Sequence, residues 1–289
     1  VYNFNFFSKF MIILYYHKLA KKIKVIDRSS LILDIFKKHA KTREAKTQVE
    51  LALCQYLLPR LTRQWTHLER QMGGVGTRAG MGETQIEVDR RLIRDKISKL
   101  KSDLIKIESE RKTQSQNRIN EFRVALVGYT NAGKSTLFNS LTGNNVYVKN
   151  QLFATLDTTV RKLKLDKKHQ VLISDTVGFI RKLPHNLVAS FKSTLKELLE
   201  ANHILIILDA SSKIIDEHLE TISQVLNELG ANEIPKSYIF NKIDLVENEI
   251  DIKKLKSNYS NAILTSALHH LRLDDVKNHL IEKIERDFN

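Results

Sequence analysis

Cysteine, proline and tryptophan are almost absent: the 289-residue chain holds one, three and one of them. A lone thiol, Cys54, excludes a disulfide framework and a cysteine-rich zinc site, and suits a reducing cytoplasm. On a helix face it reads as a small buried hydrophobe. So little proline leaves long stretches free to be helical; Pro59 alone falls within the two longest of them, where it is expected to kink or break the first. No apolar run reaches the roughly 20 residues that a transmembrane helix needs. The most apolar stretch, residues 1–16, is interrupted by Lys9, and no small-residue cleavage site follows it. Acidic residues are too few to balance the basic ones, 33 against 47, and the net charge of +14 predicts affinity for a polyanion. RNA and an anionic membrane surface both satisfy that charge.

Glycine is also sparse, and where it occurs it is informative. Residues 128–135 read Gly-Tyr-Thr-Asn-Ala-Gly-Lys-Ser, a full match to the phosphate-binding loop pattern G-x-x-x-x-G-K-[ST]. The run Phe122–Gly128 before it suits a buried parallel strand, and Lys134–Leu141 after it suits the start of a helix. Strand, loop and helix together turn backbone N–H groups of Gly128, Tyr129, Thr130, Asn131, Ala132 and Gly133 toward phosphate oxygens. Lys134 is expected at the β- and γ-phosphates. Ser135 is expected to ligate Mg²⁺, with Thr136 beside it in the first helical turn.

Three more elements follow in order. Asp175-Thr176-Val177-Gly178 ends a second apolar run, Val171–Ser174. Its carboxylate suits the metal side of the site, and the Gly178 N–H suits the γ-phosphate. Asn241-Lys242-Ile243-Asp244 ends a third run, Ser237–Phe240. Guanine presents two donors on one edge, and a single carboxylate at Asp244 accepts both. Adenine lacks that pair, which would leave a buried charge unmatched. Asn241 braces the loop, and the Lys242 stem covers the ring face. Ser266 and Ala267, in Thr-Ser-Ala, are placed to offer backbone N–H groups to the guanine O6. The nucleotide these four elements specify is GTP, with GDP as the product form. The fold class is α/β: a P-loop GTPase domain, with a mostly parallel sheet and helices on both faces, over residues 122–289.

Ahead of it, Leu31–Gln71 and Thr84–Asn120 read as two helices. Leu92, Ile93, Ile97, Leu100, Leu104 and Ile107 recur at three- and four-residue steps in the second. Two such helices joined by a loop make an antiparallel hairpin, an arm over residues 25–121. The joint, residues 73–82, holds five of the ten glycines and is flanked by arginines, Arg90 and Arg91 among them. It reads either as a flexible connector or as an RNA-probing tip through Gly74 and Arg78. Residues 1–24 stay unassigned.

Two stretches carry a more specific likeness. Leu61–Arg78 continuing to Gly82-Glu-Thr-Gln-Ile-Glu-Val-Asp-Arg-Arg, and Gln151–Arg161 with Asp175–His185, resemble the HflX family of translational GTPases, which bind the large ribosomal subunit. The resemblance implies a GTPase switch on that subunit's rRNA that splits or rescues stalled ribosomes. It also implies Thr159 as the second Mg²⁺ ligand in the GTP state, and an N-terminally shortened chain, since family members carry a longer subdomain before this point. There are departures. The family's Arg-Gly-Pro-Gly-Glu-Thr reads Arg78-Ala-Gly-Met-Gly-Glu-Thr, and its Asp-Pro-Thr reads Asp157-Thr158-Thr159. Phe179 stands where Ras-like enzymes place a water-orienting glutamine, so slow intrinsic hydrolysis is expected, with catalysis left to Lys134, Thr159, Gly178 and a partner. Related potassium-stimulated GTPases use an asparagine at the place of Asn131 to hold K⁺, which makes K⁺ a candidate second cation. A monomer is expected. Ribosome assembly, RNA modification, and a binding module with little hydrolysis are the alternatives.

Overall fold

The computed structural model describes residues 27–71, 85–115, 121–143, 158–179, 196–259 and 262–287. The glycine-rich joint with Gly74 and Arg78, the segment before Thr158, and residues 1–24 lie outside these.

Six strands form one sheet in the order β2-β3-β1-β4-β5-β6. They are β1 (Arg123–Gly128), β2 (Thr159–Lys164), β3 (Gln170–Asp175), β4 (His203–Asp209), β5 (Lys236–Asn241) and β6 (Ile263–Leu264). Every pairing is parallel except β2 against β3. The central strands are near-continuous apolar runs because both their faces are covered. Ala125, Val127, Ile204, Ile206 and Phe240 face one core, with Ile222 and Leu226 of α6 (Ile215–Leu229) and Leu198 of α5 (Lys196–Leu199). Val124, Leu126, Leu205 and Ile207 face the other, with Leu137 and Phe138 of α4 (Lys134–Thr142) and Val276 and Leu280 of α8 (Leu273–Asp287). Helix α7 (Glu249–Asn258) lies between β5 and β6 in the chain. Strands β1, β3 and β5 and helix α4 lie within a residue of the runs that the sequence marks out.

The first helical stretch differs from its sequence reading. It is two helices, α1 (Arg28–His39) and α2 (Arg43–Gln71), not one. The Asp27 carboxylate accepts from Ser30 N at 2.7 Å to cap α1, and Thr42 Oγ1 accepts from Ala45 N at 3.1 Å to start α2. Ala40, extended at ψ 112°, turns the chain between them. Pro59 does not break α2, which runs on through it. One turn earlier, the Tyr56 carbonyl accepts from the Arg60 guanidinium at 2.8 Å. Arg60 also lies 3.6 Å from the Tyr56 ring centroid and pairs with Asp27 at 3.2 Å. This arginine is therefore spent on the arm's own base.

Helix α3 (Gln85–Ser115) packs on α2 as the expected hairpin. Leu51 and Cys54 meet Leu100, flanked by Ile93, Ile97 and Leu104. Leu92, counted with that stripe in the sequence, instead points outward and is 59% exposed. Cys54 is buried, and burial pushes its thiol pKa up, which agrees with a packing role. Ile32, Leu33, Phe36 and Val49 of α1 and α2 join the same apolar cluster as Val177 and Phe179.

Candidate nucleotide-binding site

The site lies at the carboxyl ends of β1, β3, β4 and β5, where the strand order of an open parallel sheet reverses, with β3 and β4 on opposite sides of β1, and where ligands bind. Strand β1 delivers the phosphate loop. A Cβ on Gly128 would stand 2.3 Å from the Ile207 carbonyl oxygen, so only glycine fits between β1 and β4 here. Asn131 (φ 64°) and Gly133 (φ 92°) are both left-handed, which folds the loop over the start of α4. No side chain caps α4, so the amides of its first turn face the loop's hollow.

Lys134 is buried and lies across the loop, donating to the carbonyls of Gly128 at 3.1 Å and Tyr129 at 3.0 Å. Burial pulls its ammonium pKa down to about 8, and nearby Asp175 offsets part of that. Ser135 Oγ donates to Asp175 Oδ2 at 2.6 Å. Thr159, first residue of β2, sits opposite Asp175 in the antiparallel ladder. The structure thus joins the Ser135 and Asp175 side chains and sets Thr159 at the register position opposite Asp175. A hydroxyl and a carboxylate in contact are hard donors of the kind Mg²⁺ takes. The buried Thr130 hydroxyl makes no hydrogen bond among the described residues, and Thr130 lies against Gly178. Thr136 lies within the first turn of α4, and its carbonyl accepts from Ser140 Oγ at 2.9 Å.

Within Asp175–Gly178 the roles divide. Thr176 Oγ1 donates to the Leu126 carbonyl at 2.6 Å, and Val177 packs in the core, so these two face a nucleotide with backbone only. Gly178 lies against Lys134, since a Cβ there would be 3.0 Å from Nζ. Phe179 zips its backbone onto the loop: its N–H donates to the Gly128 carbonyl at 3.0 Å, and its carbonyl accepts from Thr130 N at 2.8 Å. Its ring is 3% exposed and offers nothing polar to a reacting group.

At the base end, Asn241 is 2% exposed and bridges two loops. Its Nδ2 donates to the Ala132 carbonyl at 3.0 Å, and its Oδ1 accepts from Ala267 N at 2.9 Å. Lys242 is left-handed at φ 63°, which turns the chain into the short 3₁₀ helix Ile243–Leu245 that carries Asp244. The Asp244 carboxylate lies 3.6 Å from His269 Nε2. The Ser266 and Ala267 amides, expected at guanine O6, already have protein partners in the Leu271 carbonyl and Asn241. One functional residue escapes the sequence reading. Asp209, at the end of β4, holds Lys242 Nζ at 2.7 Å and is itself fixed by Ser211 Oγ at 2.6 Å. The signal was an apolar run ending in aspartate, the same pattern that marks Asp175. On the arm, Arg90 is half-buried and Arg91 exposed, near the start of α3.

A phosphate loop, an Asp-x-x-Gly turn and an Asn-Lys-x-Asp turn on one parallel sheet edge define a P-loop domain of the GTPase class. Residues 123–242 match the family model described as "50S ribosome-binding GTPase", and residues 39–118 the one described as "GTP-binding GTPase Middle Region". The protein named GTPase HflX from Flavobacterium psychrophilum is 48% identical over 261 residues, covering 90% of this chain and 61% of that relative. The one from Escherichia coli K12 is 49% identical, covering 84% and 58%. Across the segment shared with these relatives, the chain belongs to the HflX family of GTPases; it spans about 60% of their length. A GTP-binding protein from Sulfolobus solfataricus, solved in complex with GDP, superposes with a TM-score of 0.55 at 26% identity, over 92% of this chain and 74% of that one.

Proposed function

We propose that this chain binds and hydrolyses GTP as a cytoplasmic switch on the large ribosomal subunit, and that the switch serves ribosome splitting or rescue. The observation that carries the nucleotide part is the Asn241 side chain, which ties the phosphate loop at Ala132 to the base loop at Ala267. The ribosomal part is supported by the "50S ribosome-binding GTPase" match over residues 123–242 and by the net charge of +14.

The loop amides and Lys134 hold the phosphates, and Asp244 selects the base. Ser135, Asp175 and Thr159 suit Mg²⁺, which when bound neutralises phosphate charge. Asn131 stands at the loop position where K⁺ would assist. Phe179 leaves the attacking water without a side-chain partner, so turnover by the chain alone is slow and the bound subunit supplies the missing order. Hydrolysis measured with and without purified large subunits tests this, with Lys134→Ala as control. At least tenfold stimulation is expected. Intact GTP binding with no stimulation would sink the ribosomal part.

The Lys134 environment adds a proton linkage. In the free protein its ammonium loses its proton above about pH 8. Phosphate oxygens beside Nζ favour the charged form, so the bound state keeps the proton. Binding therefore takes up protons above that pH, and affinity falls as pH rises through it. Calorimetry at pH 8.5, in two buffers of different ionisation enthalpy, should show uptake of a large part of one proton. A buffer-independent heat would show that Lys134 stays charged throughout.

A further inference from the structure

The β2–β3 hairpin forms a basic edge that the nucleotide site does not use. Arg161, Lys162, Lys164, Lys167 and Lys168 fall within eight residues and are all exposed. Leu163 between them is buried in the core, so strand alternation places Lys162 and Lys164 together on the opposite face. Lys162 pairs with Glu121. Among the described residues, Arg161, Lys164, Lys167 and Lys168 make no side-chain ion pair or hydrogen bond.

The acid in the hairpin's turn, Asp166, does not neutralise them. Asp166 Oδ1 accepts from Lys168 N at 2.7 Å and His169 N at 2.6 Å, and Oδ2 meets His169 Nδ1 at 2.9 Å. These bonds hold its carboxyl near the bottom of the carboxylate range, at about 2. Its charge is thus committed to shaping the turn, which presents Lys167 and Lys168 outward.

We infer that this hairpin is a docking edge for the phosphate backbone of structured RNA. Protection of an edge strand is a simpler use for lysine. However, Lys167 and Lys168 lie beyond the ladder, where there is no strand edge to protect. Cations alone are drawn to an anionic membrane, but stable anchoring there adds exposed apolar side chains beside them. Here Leu163 is buried and Leu165 half-buried, so the edge offers charge alone. The strand that carries this charge begins at Thr159, which places the RNA contact on the same element as the expected γ-phosphate ligand. The inference rests on the ribosomal reading above and names the surface through which it works.

The test replaces Arg161, Lys164, Lys167 and Lys168 together with glutamine in the full chain. A control chain carries Lys236→Gln, Lys253→Gln, Lys254→Gln and Lys283→Gln, toward the far edge of the sheet. Binding to large subunits, to a plain RNA duplex and to phosphatidylserine vesicles is followed from 50 to 200 mM salt. The hairpin variant should lose at least tenfold in affinity for subunits and duplex at 100 mM. Its slope of log K against log salt should flatten by about 3, with GDP affinity unchanged and the control chain near wild type. Equal RNA affinity of the hairpin variant and wild type overturns the inference while leaving the ribosomal reading intact. Loss confined to vesicles overturns it in favour of a membrane. If the unmodified chain binds GDP but neither RNA probe, the ribosomal reading itself fails, and the inference with it.

Discussion

Asp244→Asn should convert a guanine site into a xanthine site. The wild-type carboxylate sits in the 3₁₀ turn after β5, 17% exposed, where its charge is worth most when both acceptor oxygens are used. Guanine N1–H and N2–H₂ supply that pair of donors. The asparagine amide keeps one acceptor and turns the other position into a donor, which faces the N2 amino group donor to donor. Two to three kcal/mol, about a hundredfold in GDP affinity, should be lost. Xanthine carries a carbonyl where guanine has the amino group, and so restores both bonds to the amide. Competition between labelled GDP and XDP reads both directions in one titration. Selectivity that stays with guanine would mean that the base is read elsewhere.

Gly128→Ala should damage the fold rather than the chemistry. The added methyl meets the Ile207 carbonyl oxygen at 2.3 Å, and that atom belongs to the backbone of β4 in the middle of the sheet. Neither strand can move alone. Gly128 is paired across to Ile207, and its own carbonyl accepts from Phe179 N and from Lys134 Nζ. Overpacking of this kind costs about 3 kcal/mol. Urea unfolding should show a lower midpoint at unchanged slope, together with weaker nucleotide binding. Gly133→Ala makes the useful contrast. There the methyl meets Asn241 Nδ2, a side-chain atom, at 2.1 Å, and the backbone is left-handed at φ 92°. Its larger effect should fall on nucleotide affinity, because the contact it breaks joins the two loops. Equal unfolding midpoints for Gly128→Ala and wild type would show that β1 and β4 can separate without cost.

The phosphate loop, the Asp175 turn and the Asn241 turn were legible because each depends on local order: a glycine at a tight place, a lysine next to it, a carboxylate at a strand end. Other features depend on which strand lies beside which. Asp209 meets Lys242 only because β4 and β5 end side by side in the sheet. The antiparallel edge strand β2 is not legible because its mixed basic and apolar residues have meaning only once β3 lies alongside. The arm shows the reverse error. A continuous apolar period hid the break after His39, which comes from Ala40 leaving helical geometry and from a Thr42 side chain capping the next helix. Pro59 kinks or breaks a helix by the sequence rule, and here the helix passes it without ending.

The Asn241 bridge also has a consequence for how a nucleotide arrives. A guanosine phosphate is one ligand with two handles, and each handle alone gives a weak hold. The amide of Asn241 fixes the spacing between the loops that receive them, with one bond to each. Once either handle is seated, the other is at high effective concentration, and such pairing multiplies affinity by about 10² to 10⁴ without any new contact. Guanosine without phosphates, or pyrophosphate without a base, forfeits that factor. The tightness of the whole nucleotide thus depends on a side chain that need not touch the γ-phosphate.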